Sequence, residues 1–94
     1  MPRPKKTRRL NFKPDVYYFK PSGIPLSELE EVILEHDELE ALKLHDVDEL
    51  EHKDAAKKMD ISQSTFTRIL NKAYKNIADG IINGKAIRIE KKHE

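Results

Sequence analysis

A mainly α-helical domain of three to four helices, built as a helix-turn-helix with a basic N-terminal arm and a short C-terminal strand, is the fold this sequence predicts. The strongest of three observations is the apolar series Phe66, Ile69, Leu70, Ala73, Ile77 and Ile81, which marks one face of a single long helix from Gln63 to Ile82. Second, a shorter segment, His52 to Met59, buries Ala55, Ala56 and Met59 and is separated from the long helix by Asp60-Ile61-Ser62 alone. Third, the composition suits a small helical unit: 94 residues, 37% hydrophobic, 37% charged, with three Gly and no Cys. The missing cysteines exclude disulfides, thiolate zinc sites and cysteine nucleophiles, and fit a reducing cytosol. No stretch approaches the roughly 18 apolar residues of a membrane span, and the N-terminus has no apolar signal core. A cytoplasmic, nucleoid-associated protein without a membrane partner is therefore expected.

The elements follow in order. Residues 1–26 form a basic arm and a Pro/aromatic extended segment. Met1 to Arg9 has almost no apolar residue, and Leu10 to Phe19 carries Tyr17, Tyr18 and Phe19 as a short extended piece. Pro14, Pro21 and Pro25 exclude a helix there, and Pro21-Ser22-Gly23 reads as a turn. Residues 27–84 form the helical domain. Ser27 with Glu30 matches a capping box, predicting a short helix with Leu29, Val32 and Ile33 on its apolar side and a break at 34–36. Helical spacing resumes over Asp37 to Leu44 with Leu39, Ala41 and Leu42 inward. Asp46 to Glu49 is a loop that Val47 or Leu50 anchors to the core. The long helix would run about 30 Å at roughly 1.5 Å per residue. Asn83-Gly84 ends it, with Gly84 able to adopt the left-handed cap. In residues 85–94, the alternation Ala86-Ile87-Arg88-Ile89 suggests a strand, either intramolecular or at a dimer interface, before a charged tail.

Net charge is +1, but the charges are segregated. Residues 1–20 hold seven Lys or Arg against Asp15 alone, and residues 27–54 hold twelve acids against Lys43 and Lys53. From Ala55 onward nine basic residues face four acidic ones. Ala55-Ala56 permits close approach of two helices, Met59 and Ile61 plug the turn, and Ser62 caps the second helix. Asp60 stands where many such turns have Gly, and Asp is among the few other residues that tolerate the left-handed region. Opposite the buried stripe lie Ser64, Arg68, Asn71 and Lys75, flanked by Thr67 and Lys72, with no acid before Asp79. Arg reads guanine, Asn and Gln read adenine, and Ser, Thr and Lys suit phosphates or base edges. Gln63, Ser64, Thr67, Arg68, Asn71, Lys72 and Lys75 are therefore the candidate double-stranded-DNA-binding set. Arg3, Lys5, Lys6, Arg8 and Arg9 are the candidate phosphate-contacting arm; the same run also reads as a nuclear-localisation signal or a solubilising terminus.

Enzyme signatures are missing: there is no Gly-rich phosphate loop and no nucleophile elbow. His36, His45, His52 and His93 match no metal-ligand spacing and read as scattered exposed residues, so neither a metal nor another cofactor is expected. The acidic middle reads as a surface turned away from DNA, or as the contact of an adaptor for RNA polymerase or another protein. The basic arm with its aromatic neighbours leaves single-stranded RNA as a third reading.

Several separated blocks resemble the prokaryotic family catalogued as number 134 of the domains of unknown function. They are Met1 to Lys6, Phe19-Lys20-Pro21 with Gly23 and Pro25, Asp37 to Leu42, Ala55-Ala56 with Met59, Ile61-Ser62 with Ser64 to Phe66 and Arg68 to Leu70, and Asn83 to Ile87. The sequence departs from the family's pattern at Asp60, in place of a turn Gly, and at 89–94, which lack a Gly pair. That family's helix-turn-helix is similar to the sigma-factor region that reads the −35 promoter element. The resemblance implies a helical DNA-binding domain with its reading helix beginning after Ser62, acting as a transcription regulator. A lone domain of this size spans only a short half-site, so a homodimer is expected.

Overall fold

The computed structural model describes residues 16–90; the arm residues Arg3 to Arg9, and His93, lie outside them. Eight elements follow in order. Strand β1 spans Val16–Phe19, a 3-10 turn Leu26–Glu28 and strand β2 Glu31–Leu34. Helix α1 (His36–Leu42) runs directly into a π-helical turn, Lys43–Val47. Helices α2 (His52–Met59) and α3 (Gln63–Ile82) follow, and strand β3 (Ala86–Glu90) completes the described chain. The architecture is thus mixed α/β, not mainly α: three α-helices and a three-stranded sheet of order β1-β3-β2.

Strand β3 is the centre of that sheet. It pairs antiparallel with β1, Val16 opposite Glu90 and Phe19 opposite Ile87. It pairs parallel with β2, Glu31 opposite Ala86 and Leu34 opposite Ile89. Both its edges are occupied, so Ala86 to Ile89 is an intramolecular strand and is not available to pair with a second chain.

The helix expected from Ser27 does not form. Only the 3-10 turn occupies that stretch, and Glu31–Leu34 is extended with Val32 and Leu34 buried and Glu31 and Ile33 exposed. That alternation has period two, as a one-sided strand requires. The true capping box lies one step later: the Glu35 side chain accepts from the N3 backbone while its own N–H donates to Glu38 Oε1 at 3.0 Å. Of the two anchors expected for the loop after α1, Leu50 packs on the core while Val47 is 71% exposed.

Two apolar clusters make the core, and α3 belongs to both. Ala41, Leu44, Ala55, Ala56, Phe66 and Leu70 form the first, beneath the α2–α3 corner. Val32, Leu34, Ala73, Ile87 and Ile89 form the second, between the sheet and the middle of α3. Small residues set the spacing at both ends: Ala55 and Ala56 let α2 approach α3, and Gly80 lets α3 approach β3. A Cβ on Gly80 would sit 2.6 Å from Ile87 Cγ1. The helix then outruns its support. Ile81, expected on the buried stripe, is instead 67% exposed, because the last turn projects past the sheet before the chain reverses at Gly84, whose φ is +66°. Lys85 N–H closes that reversal on Gly80 O at 2.9 Å.

Candidate nucleic-acid interface

The corner between α2 and α3 follows from three local features. Asp60 ends α2 in the left-handed conformation, with φ 60° and ψ 44°, a region in which Asp is tolerated better than most side chains. The Ile61 N–H then reaches back to Ala56 O at 3.1 Å, satisfying an end carbonyl of α2. Ser62 next turns extended, and its Oγ accepts from Thr65 N at 3.1 Å as the N-cap of α3. Met59 and Ile61 pack against the cluster centred on Phe66, filling the angle between the helices.

Beyond the corner, α3 buries Phe66, Leu70 and Ala73 and exposes Gln63, Ser64, Arg68, Asn71, Lys72 and Lys75. Four of the seven residues expected from the sequence to read DNA, Ser64, Arg68, Asn71 and Lys75, thus share one open face, and Gln63 is exposed in the first turn. Arg68 Nη2 donates to Thr65 Oγ1 at 3.3 Å, which lays the guanidinium along the first turn of the helix. Thr65 Oγ1 in turn accepts from Ser62 Oγ at 2.9 Å, so cap and arginine share one chain of hydrogen bonds.

The other two residues are engaged from the side. Thr67 is half-buried, its Oγ1 2.9 Å from His52 Nδ1 at the start of α2. Lys72 keeps its stem exposed while its Nζ lies 3.6 Å from Glu38 Oε2. Glu38 is 3% exposed, a buried carboxylate that caps α1 with one oxygen and faces Lys72 with the other. A buried charge is costly without such partners, so Lys72 is in part a structural counter-ion.

Sequence reading missed His52 and Glu38 as supports of this face. Glu35-x-x-Glu38 carried a legible capping signal, but the contact of His52 with Thr67 spans two elements and has none. His45 and His52, expected to be scattered and exposed, are instead half-buried and edge-to-face at 4.7 Å between ring centroids. The His52 ring also stands edge-on to Phe66 at 5.5 Å. His45 Nδ1 lies 2.8 Å from Leu50 O; a carbonyl only accepts, so that nitrogen carries the proton. The pair thereby pins the loop before α2 to the corner. Among the described residues no group of three or more ligand-type side chains gathers as a metal site would require.

Farther along α3, Tyr74 Oη donates to Asp46 of the π-helical turn, 3.0 and 2.9 Å from its two oxygens. Partial desolvation, with the carboxylate adding to it, pushes the phenol up to about 12. At the helix end, Asp79 accepts from Asn83 Nδ2 and from Lys85 Nζ, at 2.6 and 3.0 Å. Those two bonds hold the Asp79 carboxyl below its ordinary value, and the bond to Asp79 holds the Lys85 ammonium above its own. The first acid of α3 is therefore neutralised locally, away from the exposed basic face.

Among the described residues no helix is long and apolar enough to cross a membrane. No solved structure matches the chain. Curated relatives do: UPF0251 proteins from Moorella thermoacetica (54% identical over 90 residues, 96% of this chain), Desulfosudis oleivorans (56%, 96%) and Caldanaerobacter subterraneus subsp. tengcongensis (54%, 96%). The chain covers 60%, 65% and 76% of their respective lengths, so it spans under two thirds of the first two. Residues 1–93 match the model of the family described as protein of unknown function DUF134, and the chain belongs to that family.

Proposed function

We propose that this chain binds double-stranded DNA with sequence preference, as a prokaryotic transcription regulator, using α2 and α3 as a helix-turn-helix. One observation carries the reading. Immediately after a capped left-handed corner, α3 presents Ser64, Arg68, Asn71 and Lys75 to solvent on a face without an acidic residue, with Gln63 exposed in the first turn, while its opposite side is buried. In this reading the first three turns of α3 enter the major groove. Arg68 and Asn71 meet base edges, Ser64 and Lys75 meet phosphates, and His52 steadies Thr67 at the margin. Among the described residues the acidic segment reaches α3 at Glu38, which faces Lys72, and at Asp46, which accepts from Tyr74.

The test is selection of bound duplexes from a random pool at two salt concentrations, followed by titration of single variants. Arg68→Ala is expected to lose about 1–3 kcal/mol on the selected sequence and far less on scrambled duplex. Lys75→Ala is expected to weaken all duplexes alike and to reduce the log–log salt slope by about 0.9. Equal loss on every sequence for Arg68→Ala would restrict the reading to backbone binding. Absence of any salt-dependent duplex binding would overturn it.

A further inference from the structure

Lys72 and Lys75 lie one turn apart on α3 and differ by roughly 60° in direction, at about 100° per residue. Both are exposed, yet their surroundings differ. Lys75 forms no ion pair among the described residues and feels Asp79 only at longer range. Lys72 Nζ lies 3.6 Å from Glu38 Oε2, and the Glu38 side chain is 4% exposed against 64% for Lys72. The carboxylate cannot follow the lysine outward. Its other oxygen accepts from Glu35 N–H at 3.0 Å as part of the α1 cap, and the residue is buried.

We propose that Glu38 withholds Lys72 from the DNA backbone, so that this flank of the reading face is electrically neutral and Lys75 alone meets phosphate there. The inference rests on the proposed function and refines it. Lys72 leaves the DNA-contacting set, and Glu38 becomes a positioning residue that limits sequence-independent affinity.

The reason is a competition for one ammonium. If Lys72 swung onto a phosphate, Glu38 would be left as a buried charge without its cation, which costs far more than breaking an exposed pair. A phosphate in solvent offers less in return, because mobile counterions already screen it. A lysine held back in this way displaces no counterion from the duplex, and counterion release is what drives sequence-independent binding. Such binding hinders a protein that must find one site among many. Glu38 reduces it while leaving Arg68 and Asn71 open to base edges.

The test uses a variant chosen to keep the fold. Glu38→Gln retains an oxygen that accepts from Glu35 N–H, as glutamine does in capping boxes, and removes only the charge. On a short scrambled duplex it is expected to raise affinity about fivefold at roughly 0.15 M salt and to steepen the log–log salt slope by about 0.9, the release of one more counterion. Lys72→Met in the same chain is expected to abolish that gain. Asp37→Asn, which removes an exposed acid outside the pair, is the control and should move the slope far less. A gain that survives Lys72→Met would be a long-range effect of charge and would overturn the proposal.

Acylation of lysine amines, read by peptide mass, gives a second measurement whose first arm needs neither variant nor duplex. Lys72 is expected to react more slowly than Lys75, and Glu38→Gln to remove the difference. Equal rates in the unsubstituted chain would overturn the pairing itself. Added duplex is expected to shield Lys75 and leave Lys72 as it was; equal shielding of both would put Lys72 on DNA, against the proposal. If duplex shields neither while Lys72 remains the slower, the DNA reading and the withholding from DNA fail together and only the pair stands.

Discussion

The two apolar clusters that α3 joins are built from different parts of the chain. Beneath the corner, Ala41, Leu44, Ala55, Ala56, Phe66 and Leu70 come from one continuous stretch and pack helix against helix. Beneath the sheet, Val32, Leu34, Ala73, Ile87 and Ile89 come from segments far apart in the chain. The first cluster determines where the exposed face of α3 starts and how it is aimed. The second holds the middle of the helix, at Ala73 and Ile77, and depends on β1 and β2 finding β3. Helical contacts are local and cost little loop-closure entropy, whereas the parallel pairing of β2 with β3 has to close most of the chain. The start of α3 is thus specified nearby and its middle remotely.

The sharpest way to break that comparison is at Phe66, which is completely buried and touches His52 edge-on. Phe66→Ala is expected to cost about 3–5 kcal/mol in urea unfolding, since it removes transfer free energy and leaves a cavity among small alanines that cannot fill it. Amide exchange at the first turns of α3 should accelerate more than exchange in β3. Equal acceleration in both would mean that the two clusters unfold as one unit.

The same division explains how much could be read from sequence. Helices α2 and α3 and the Asp60–Ser62 corner were legible to the residue, because 3.6-residue spacing, a serine cap and paired alanines all lie within the segment they describe. Strand β2 was not. Val32-Ile33-Leu34 is a run of three apolar residues that serves either period, and Ser27 with Glu30 supplied a false helix start. What decides the strand is its partner, β3, far along the chain. Ile81 kept the helical period yet lies exposed, since periodicity tells which side of a helix is apolar and not where its support ends. That α3 exposes a polar face opposite its buried stripe was legible; the contacts of His52 and Glu38 that flank this face were hidden between elements.

A smaller effect sharpens the comparison from the sheet end. Gly80→Ala would gain about 1 kcal/mol of helix propensity. However, the new Cβ would lie 2.6 Å from Ile87 Cγ1 and 3.2 Å from Val32 Cγ2, inside the second cluster. Overpacking of this kind costs about 1–3 kcal/mol, so set against that gain a net destabilisation of up to about 2 kcal/mol is expected by thermal or urea unfolding. In the double variant with Ile87→Ala the two costs should add to less than their sum, because the atoms that clash are gone. Full additivity would show that α3 does not rest on Ile87 as the structure has it.

The smallest expected effect lies between the clusters, where Tyr74 ties the middle of α3 to Asp46 of the π-helical turn. Partial desolvation, then the hydrogen bond to the carboxylate, raise the phenol from 10.0 to about 12. A raised value in the folded state means that the native protein holds this proton while the unfolded chain releases it. Stability from the contact is therefore complete below pH 10 and is lost as the pH rises toward about 12. Phenolate absorbance should show one tyrosine titrating near 12, and Asp46→Asn should bring it down toward 10.0. Because Tyr74 is 39% exposed, solvent screens the pair and the change in unfolding free energy at neutral pH is expected to be small. If Asp46→Asn leaves the titration where it was, the π-helical turn is not fastened to α3, and the two clusters are coupled through the helix alone.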